Sequence, residues 1–237
     1  MLVKVTEEKL YLGEGISRNI SVNSISIEEK KDKNGMPIQH LVIEFVQHPQ
    51  VKEQAPKYFT WSSESINREY SIYQITEEDE NGFVKRFVRG GDKGDVVYGE
   101  ILINSLVQIF KIYAGDIAKC VEVFQKCNGI EDLVTKCQEM IKANPKARGR
   151  ICLQYEYYET KEGRVARVTK TPKYGVWFDF ENGNLIKEFL PTSGMKPAEI
   201  ALMARYQTQG AAGSVVAETS SEGAYSSPMD SETPPWS

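Results

Sequence analysis

Nine basic residues crowd between Met140 and Tyr174: Lys142, Lys146, Arg148, Arg150, Lys161, Arg164, Arg167, Lys170 and Lys173. Only Glu156, Glu159 and Glu162 oppose them, a local excess of six positive charges in a chain of formal net charge −4. Cations strung along a hairpin suit a phosphate backbone, because each phosphate neutralised releases a condensed counterion. The plainer reading is a solvated hairpin carrying ordinary surface Lys and Arg, and the size of the excess favours polyanion binding over it.

Aromatic residues interleave with these charges: Tyr155, Tyr157, Tyr158, Tyr174, Trp177, Phe178 and Phe180. Unpaired bases stack on such rings for ~1–3 kcal/mol each, with little regard to sequence. Alternation along a strand separates core from surface. Ile151, Leu153, Tyr155 and Tyr157 share one face, which makes these tyrosines core, whereas Tyr158 points the other way with Gln154 and Glu156. Val176, Phe178 and Phe180 share a face, leaving Trp177 beside Asp179 on the polar side. The expected stacking residues are therefore Tyr158, Tyr174 and Trp177, with half-buried packing as the competing role for Trp177.

No catalytic constellation accompanies them. Both histidines, His40 and His48, fall in or beside one strand without a Cys or Asp cluster, and no phosphate-cradling GxxxxGK[ST] is present. Cys120, Cys127, Cys137 and Cys152 form no CxxC pair, which argues against zinc and for buried structural thiols. Glu77-Glu78-Asp79-Glu80 reads as a solvated loop, since a metal site needs ligands converging in space. The expectation is a protein that is not an enzyme, with no cofactor and no metal. A nuclease or other DNA-processing enzyme is disfavoured on the same grounds.

The elements that must position these residues change period along the chain. Residues 19–30 alternate, with a slip near Asn23-Ser24 that suggests a bulge, and Asn34-Gly35 marks a hairpin into a partner strand over 38–47. Further strands are expected at 57–62, 69–76 and 82–89. The Lys30, Lys31 and Lys33 charges near that hairpin tip are cancelled by Glu28, Glu29 and Asp32. From residue 100 to 144 the apolar spacing becomes helical, broken at Gly115 and Gly129 and stopped by Pro145. Strands return at 150–158, 164–171 and 176–180, and 197–206 reads as a short helix. Strands, a helical insert, then more strands is the order of a five-stranded oligonucleotide-binding barrel. An α+β sandwich without closure is the alternative.

Beyond Gln207 the chain holds no Lys or Arg, and Glu218, Glu222, Asp230 and Glu232 carry the whole net charge. Gly, Ala, Ser, Thr and Pro dominate there, a composition that cannot bury enough apolar surface to offset the entropy of ordering. The chain thus divides into a domain over 1–206 and a disordered acidic tail over 207–237. No apolar run is long enough to span a membrane, and the first residues lack a basic segment followed by an apolar core, so a cytoplasmic location is expected.

Residues 151–158, then Lys161-Glu162-Gly163, then Thr171-Pro172-Lys173-Tyr174-Gly175-Val176-Trp177, resemble the last hairpin of phage single-stranded DNA-binding proteins. The acidic tail ending in Pro234, Pro235 and Trp236 resembles the partner-docking tails of the same group, although its four acids are scattered rather than in a dense run. The resemblance covers residues 100–181 and 218–237. It implies an α+β, mainly β chain built on an oligonucleotide-binding barrel that coats single-stranded DNA during phage replication or recombination, in the host bacterial cytoplasm. DNA would be held by Arg148, Arg150, Tyr158, Lys161, Arg164, Arg167, Lys170, Lys173, Tyr174 and Trp177. Replication or recombination proteins would be recruited by Asp230, Glu232, Pro234, Pro235 and Trp236. The competing class is a virion or assembly structural protein with a flexible tail, which a body of balanced charge rich in β-structure suits equally.

Overall fold

The computed structural model describes residues 10–31, 35–48, 57–63, 88–89, 95–96, 98–172, 175–186, 192 and 195–210. Nine strands and four helices lie within them: β1 (Leu10–Tyr11), β2 (Gly15–Lys31), β3 (Pro37–Gln47), β4 (Lys57–Ser63), β5 (Val88–Arg89), β6 (Asp95–Val96), α1 (Tyr98–Ala114), α2 (Ile117–Gln125), α3 (Ile130–Ala143), β7 (Gly149–Glu159), β8 (Val165–Lys170), β9 (Phe178–Phe180) and α4 (Pro197–Gly210). The expected strands over 69–76 and 82–87 fall outside the described residues. The C-terminal helix runs four residues past the expected end of the folded part, and Asp230, Glu232, Pro234, Pro235 and Trp236 fall outside the described residues.

The main sheet runs β1-β4-β3-β2-β7-β8, with β9 also paired to β7, while β5 and β6 form a separate two-stranded sheet. All pairs in the main sheet are antiparallel except β1 with β4. The hairpin foreseen at Asn34-Gly35 joins β2 to β3, in register from Lys31↔Pro37 to Ile20↔Gln47, and the slip lies between Val22 and Ser24. Helix side chains bond the backbone of β2 near this slip: the Val22 N–H donates to the Tyr113 hydroxyl at 2.7 Å, and Gln138 Nε2 donates to the Ile25 carbonyl at 3.1 Å. The expected closed barrel is a point of correction, since the sheet is open: among the described residues β4 has β1 on its second edge and β8 does not reach it.

α1, α2 and α3 supply one wall of the core and the sheet supplies the other. Leu106, Ile109 and Phe110 of α1, Phe124 of α2 and Leu133 and Cys137 of α3 are buried with Ile20, Leu41, Ile43, Phe45, Ile151, Leu153 and Phe178. The Asp116 carboxylate caps α2 by accepting from the Lys119 N–H at 2.7 Å. Asn144, closing α3, donates to the Tyr113 carbonyl at the end of α1 at 2.7 Å, so the two helices finish together. All four thiols are buried and unbridged, and burial pushes Cys120, Cys137 and Cys152 above the usual thiol range and Cys127 up to about 11. No described helix is long and apolar enough to cross a membrane.

β7 is the axis on which the basic segment is hung. Its odd-numbered residues turn their backbone toward β2, as in the pair Leu153↔Gly15. Its even-numbered residues face the other edge, where Cys152 N–H donates to the Trp177 carbonyl and Thr160 N–H to the Arg164 carbonyl. β8 and β9 therefore share that edge, β8 beside residues 154–159 and β9 beside 149–151, with a five-residue slip in register between them. The approach of β9 is close. A Cβ on Gly149 would lie 2.6 Å from the Asp179 carbonyl oxygen and 2.8 Å from the Phe178 ring, so only glycine fits there.

Candidate nucleic-acid interface

Eleven residues of extended strand at about 3.3 Å each separate the two ends of β7 by roughly 33 Å. That length divides the nine cations that look contiguous in sequence. Lys142 and Lys146 are exposed on the far end, where α3 finishes and the chain turns into β7. Lys161 and Arg164 are exposed at the opposite end, on the turn joining β7 to β8. One polyanion-binding patch cannot be assembled from all of them.

The two arginines at the start of β7 are engaged within the protein. Arg148 Nη1 donates to the carbonyls of Pro145 at 2.9 Å and Ala147 at 2.7 Å, closing the turn after α3. Arg150 points inward, with Nη2 3.7 Å from the Asp179 carboxylate and 3.5 Å from the Ile186 carbonyl. Asp179 in turn sits 3.0 Å from Lys111 Nζ, and both side chains are buried. The Asp179 carboxylate also accepts from the Phe180 N–H and the Leu185 N–H, each at 2.8 Å. Burial alone would raise this carboxyl. The hydrogen bond from Lys111 and those two N–H groups outweigh it and hold the group below the usual carboxylate range. For Lys111, burial is the larger effect and lowers the amine, with Asp179 opposing.

Trp177 corrects the expectation of a stacking platform. It is only 5% exposed and packs in the core, 6.3 Å from Trp61 in a near-parallel stack and 6.1 Å from Phe45 edge-on. Its backbone is engaged as well, the N–H donating to Gln108 Oε1 at 3.1 Å. A base cannot reach this ring. Lys173 and Tyr174 fall outside the described residues.

The remaining candidates do gather, on the outer half of the β7–β8 hairpin. Its turn is tight: Thr160 N–H donates to the Arg164 carbonyl at 2.7 Å and Gly163 N–H to the Thr160 carbonyl at 2.9 Å. In register, Tyr158 faces Ala166, Tyr157 faces Arg167 and Tyr155 faces Thr169. Alternation then puts Tyr158 and Lys170 on one face and Tyr155, Tyr157 and Arg167 on the other. Tyr158 is 37% exposed, enough to offer part of its ring. Lys170 forms an ion pair with Glu156 beside it.

Arg167 stands over two aromatic rings. Its guanidinium carbon lies 4.0 Å from the centre of the Tyr155 ring and 5.1 Å from that of Tyr206, yet the residue remains exposed. Tyr206 belongs to α4, which lies against β7 and β8. Arg205, its neighbour, donates to both oxygens of Glu159, at 3.0 and 3.5 Å, and to the Gly163 carbonyl at 3.4 Å. Gln209 Oε1 accepts from the Val165 N–H at 3.1 Å. Arg205 holds the Glu159 carboxyl below its usual range through that hydrogen bond and its charge. Glu156 and Glu159, two of the three acids set against the basic residues in sequence, are thereby matched by Lys170 and Arg205.

Sequence reasoning missed Arg205 and Tyr206, whose segment reads as no more than a short helix leading into the tail. The available signal was an adjacent base and aromatic on a helix that also places Leu202, Met203 and Tyr206 on one side. Among the described residues no group of three His, Cys, Asp or Glu side chains stands close enough to hold a metal ion. Comparison with protein-family models, with curated proteins and with solved structures finds no match for this chain.

Proposed function

We propose that the chain binds single-stranded nucleic acid along the outer half of the β7–β8 hairpin, without enzymatic activity. Lys161 and Arg164 on the turn and Arg167 on the α4 face neutralise phosphates, and where the strand passes around the turn Tyr158, beside Lys170 on the opposite face, offers a ring to a base. Single-stranded DNA is the ligand class that the resemblance of the 151–177 segment implies, in replication or recombination of a phage. The acidic end of the chain, with Asp230, Glu232, Pro234, Pro235 and Trp236, then serves to recruit protein partners.

The observation that carries this reading is topological. A meander of β2, β3 and β4 is followed by three helices, after which β7 returns to pair antiparallel with β2 and turns back as β8. That order supports an oligonucleotide-binding reading of the open sheet, in which the β7–β8 turn would be one of the two loops that rim the ligand groove of such folds. Lys161 and Arg164 sit on that turn.

Photo-crosslinking tests it. A thymidine oligomer carrying a photoreactive base should attach to peptides within 154–170. Crosslinks confined to other segments, or no complex at low salt, would overturn the assignment and leave the structural-protein alternative.

A further inference from the structure

We infer that α4 belongs to the binding surface, with Tyr206 acting as a positioning residue that pre-orients Arg167 for a phosphate of the bound strand. The inference rests on the single-strand-binding reading above and adds to it a second element and two residues. A long side chain such as arginine loses about 2 kcal/mol of rotamer freedom when it is fixed, and a contact made by a free arginine must offset that cost. Arg167 has been ordered in advance. Its guanidinium lies over the rings of Tyr155 and Tyr206, both within the ~6 Å over which a cation is attracted to an aromatic face. Stacking uses the faces of the guanidinium; one edge N–H is turned to the Tyr157 hydroxyl, and the others are left for the hydrogen bonds that phosphate oxygens accept.

The seat of α4 agrees with this role. The Tyr206 ring lies 5.5 Å from that of Tyr157, which faces Arg167 across the ladder. The Arg205 ion pair places the helix over the outer end of the hairpin and offsets the carboxylate at the end of β7, Glu159. One face of the hairpin thus shows a stacked arginine with its neighbouring acid neutralised, an arrangement that favours a phosphodiester over a cation. The ligand class is the backbone of a single strand, read for charge and spacing rather than for base sequence.

Packing alone would predict something different, and substitutions separate the two. Tyr206→Phe keeps the aromatic face, Tyr206→Leu keeps apolar packing but removes that face, and Arg167→Gln removes the charge. Each is compared with the native chain for affinity to a labelled oligo-thymidine over a salt series, with thermal unfolding to verify folding. Tyr206→Phe should bind within two-fold of native, and Tyr206→Leu should weaken binding about five-fold or more. Arg167→Gln should reduce the salt slope by about 0.7, one phosphate contact on a single strand. A folded Tyr206→Leu protein with native affinity, or Arg167→Gln with native affinity and slope, would overturn the inference while leaving the binding function intact. Failure of the native chain to bind would overturn both.

Discussion

At the scale of single residues, burial decides which aromatics and cations face solvent. Trp177 and Tyr158 look alike in sequence, each sharing by alternation a strand face with an acid, Asp179 for one and Glu156 for the other. Trp177 escapes the alternation rule because β9 begins only at Phe178, so the parity counted back from Phe180 does not extend to it. It enters the sheet where aromatic side chains close around it on both sides, and residues 177 and 178 both join the core. Tyr158 lies within the continuous strand β7, one residue from its end, where alternation holds, and its exposure was legible. The account predicts that Trp177→Ala costs about 3–5 kcal/mol of stability, as large aromatic truncations in cores do. The salt slope of nucleic-acid binding by the protein that remains folded should be unchanged. Chemical denaturation and oligonucleotide titration of the same variant measure both quantities.

At the scale of elements, the helical block and the last strands are fastened by a buried ion pair, Lys111 of α1 with Asp179 of β9. The helical block over 100–144, read as two or three helices, the β2–β3 hairpin with its bulge and the β7–β8 hairpin were legible because periodicity and turn residues mark them locally. The pair was not, because it joins positions 68 residues apart, and a lysine inside an apolar helix does not name its partner. Removing Lys111 leaves the buried Asp179 with only the more distant Arg150 and two N–H donors to compensate it, and breaking a buried pair costs about 3–5 kcal/mol. Lys111→Met should therefore destabilise strongly, and Lys111→Met with Asp179→Leu should recover part of the loss. The sign of the pH dependence follows from the depressed carboxyl of Asp179. Its stabilising contribution is complete above the ordinary aspartate value of about 4 and is lost as pH falls through the lower folded value. Unfolding midpoints followed from pH 6 downward should fall more steeply for the native chain than for the double variant.

At the scale of the whole molecule, cations that lie in one stretch of sequence are divided, Lys142 and Lys146 standing at one end of β7 and Lys161 and Arg164 at the other. Charge counting made them a single patch because it ignores the roughly 33 Å that β7 places between its ends. The strand order was legible, since strands, helices and strands follow one another as expected. Closure was not, because it depends on which edges meet across the sheet rather than on any local pattern. The resulting account assigns phosphate binding to the hairpin turn and leaves the other end as an internal control. The direct measurement is anisotropy of a labelled oligo-thymidine titrated over a salt series with three proteins: native, Lys161→Ala/Arg164→Ala and Lys142→Ala/Lys146→Ala. The account predicts salt-sensitive binding by the native chain, a slope smaller by about 1.4 for the turn variant, and a native slope for the other. Equal slopes for the native and turn proteins, or a loss confined to the Lys142 and Lys146 variant, would contradict it.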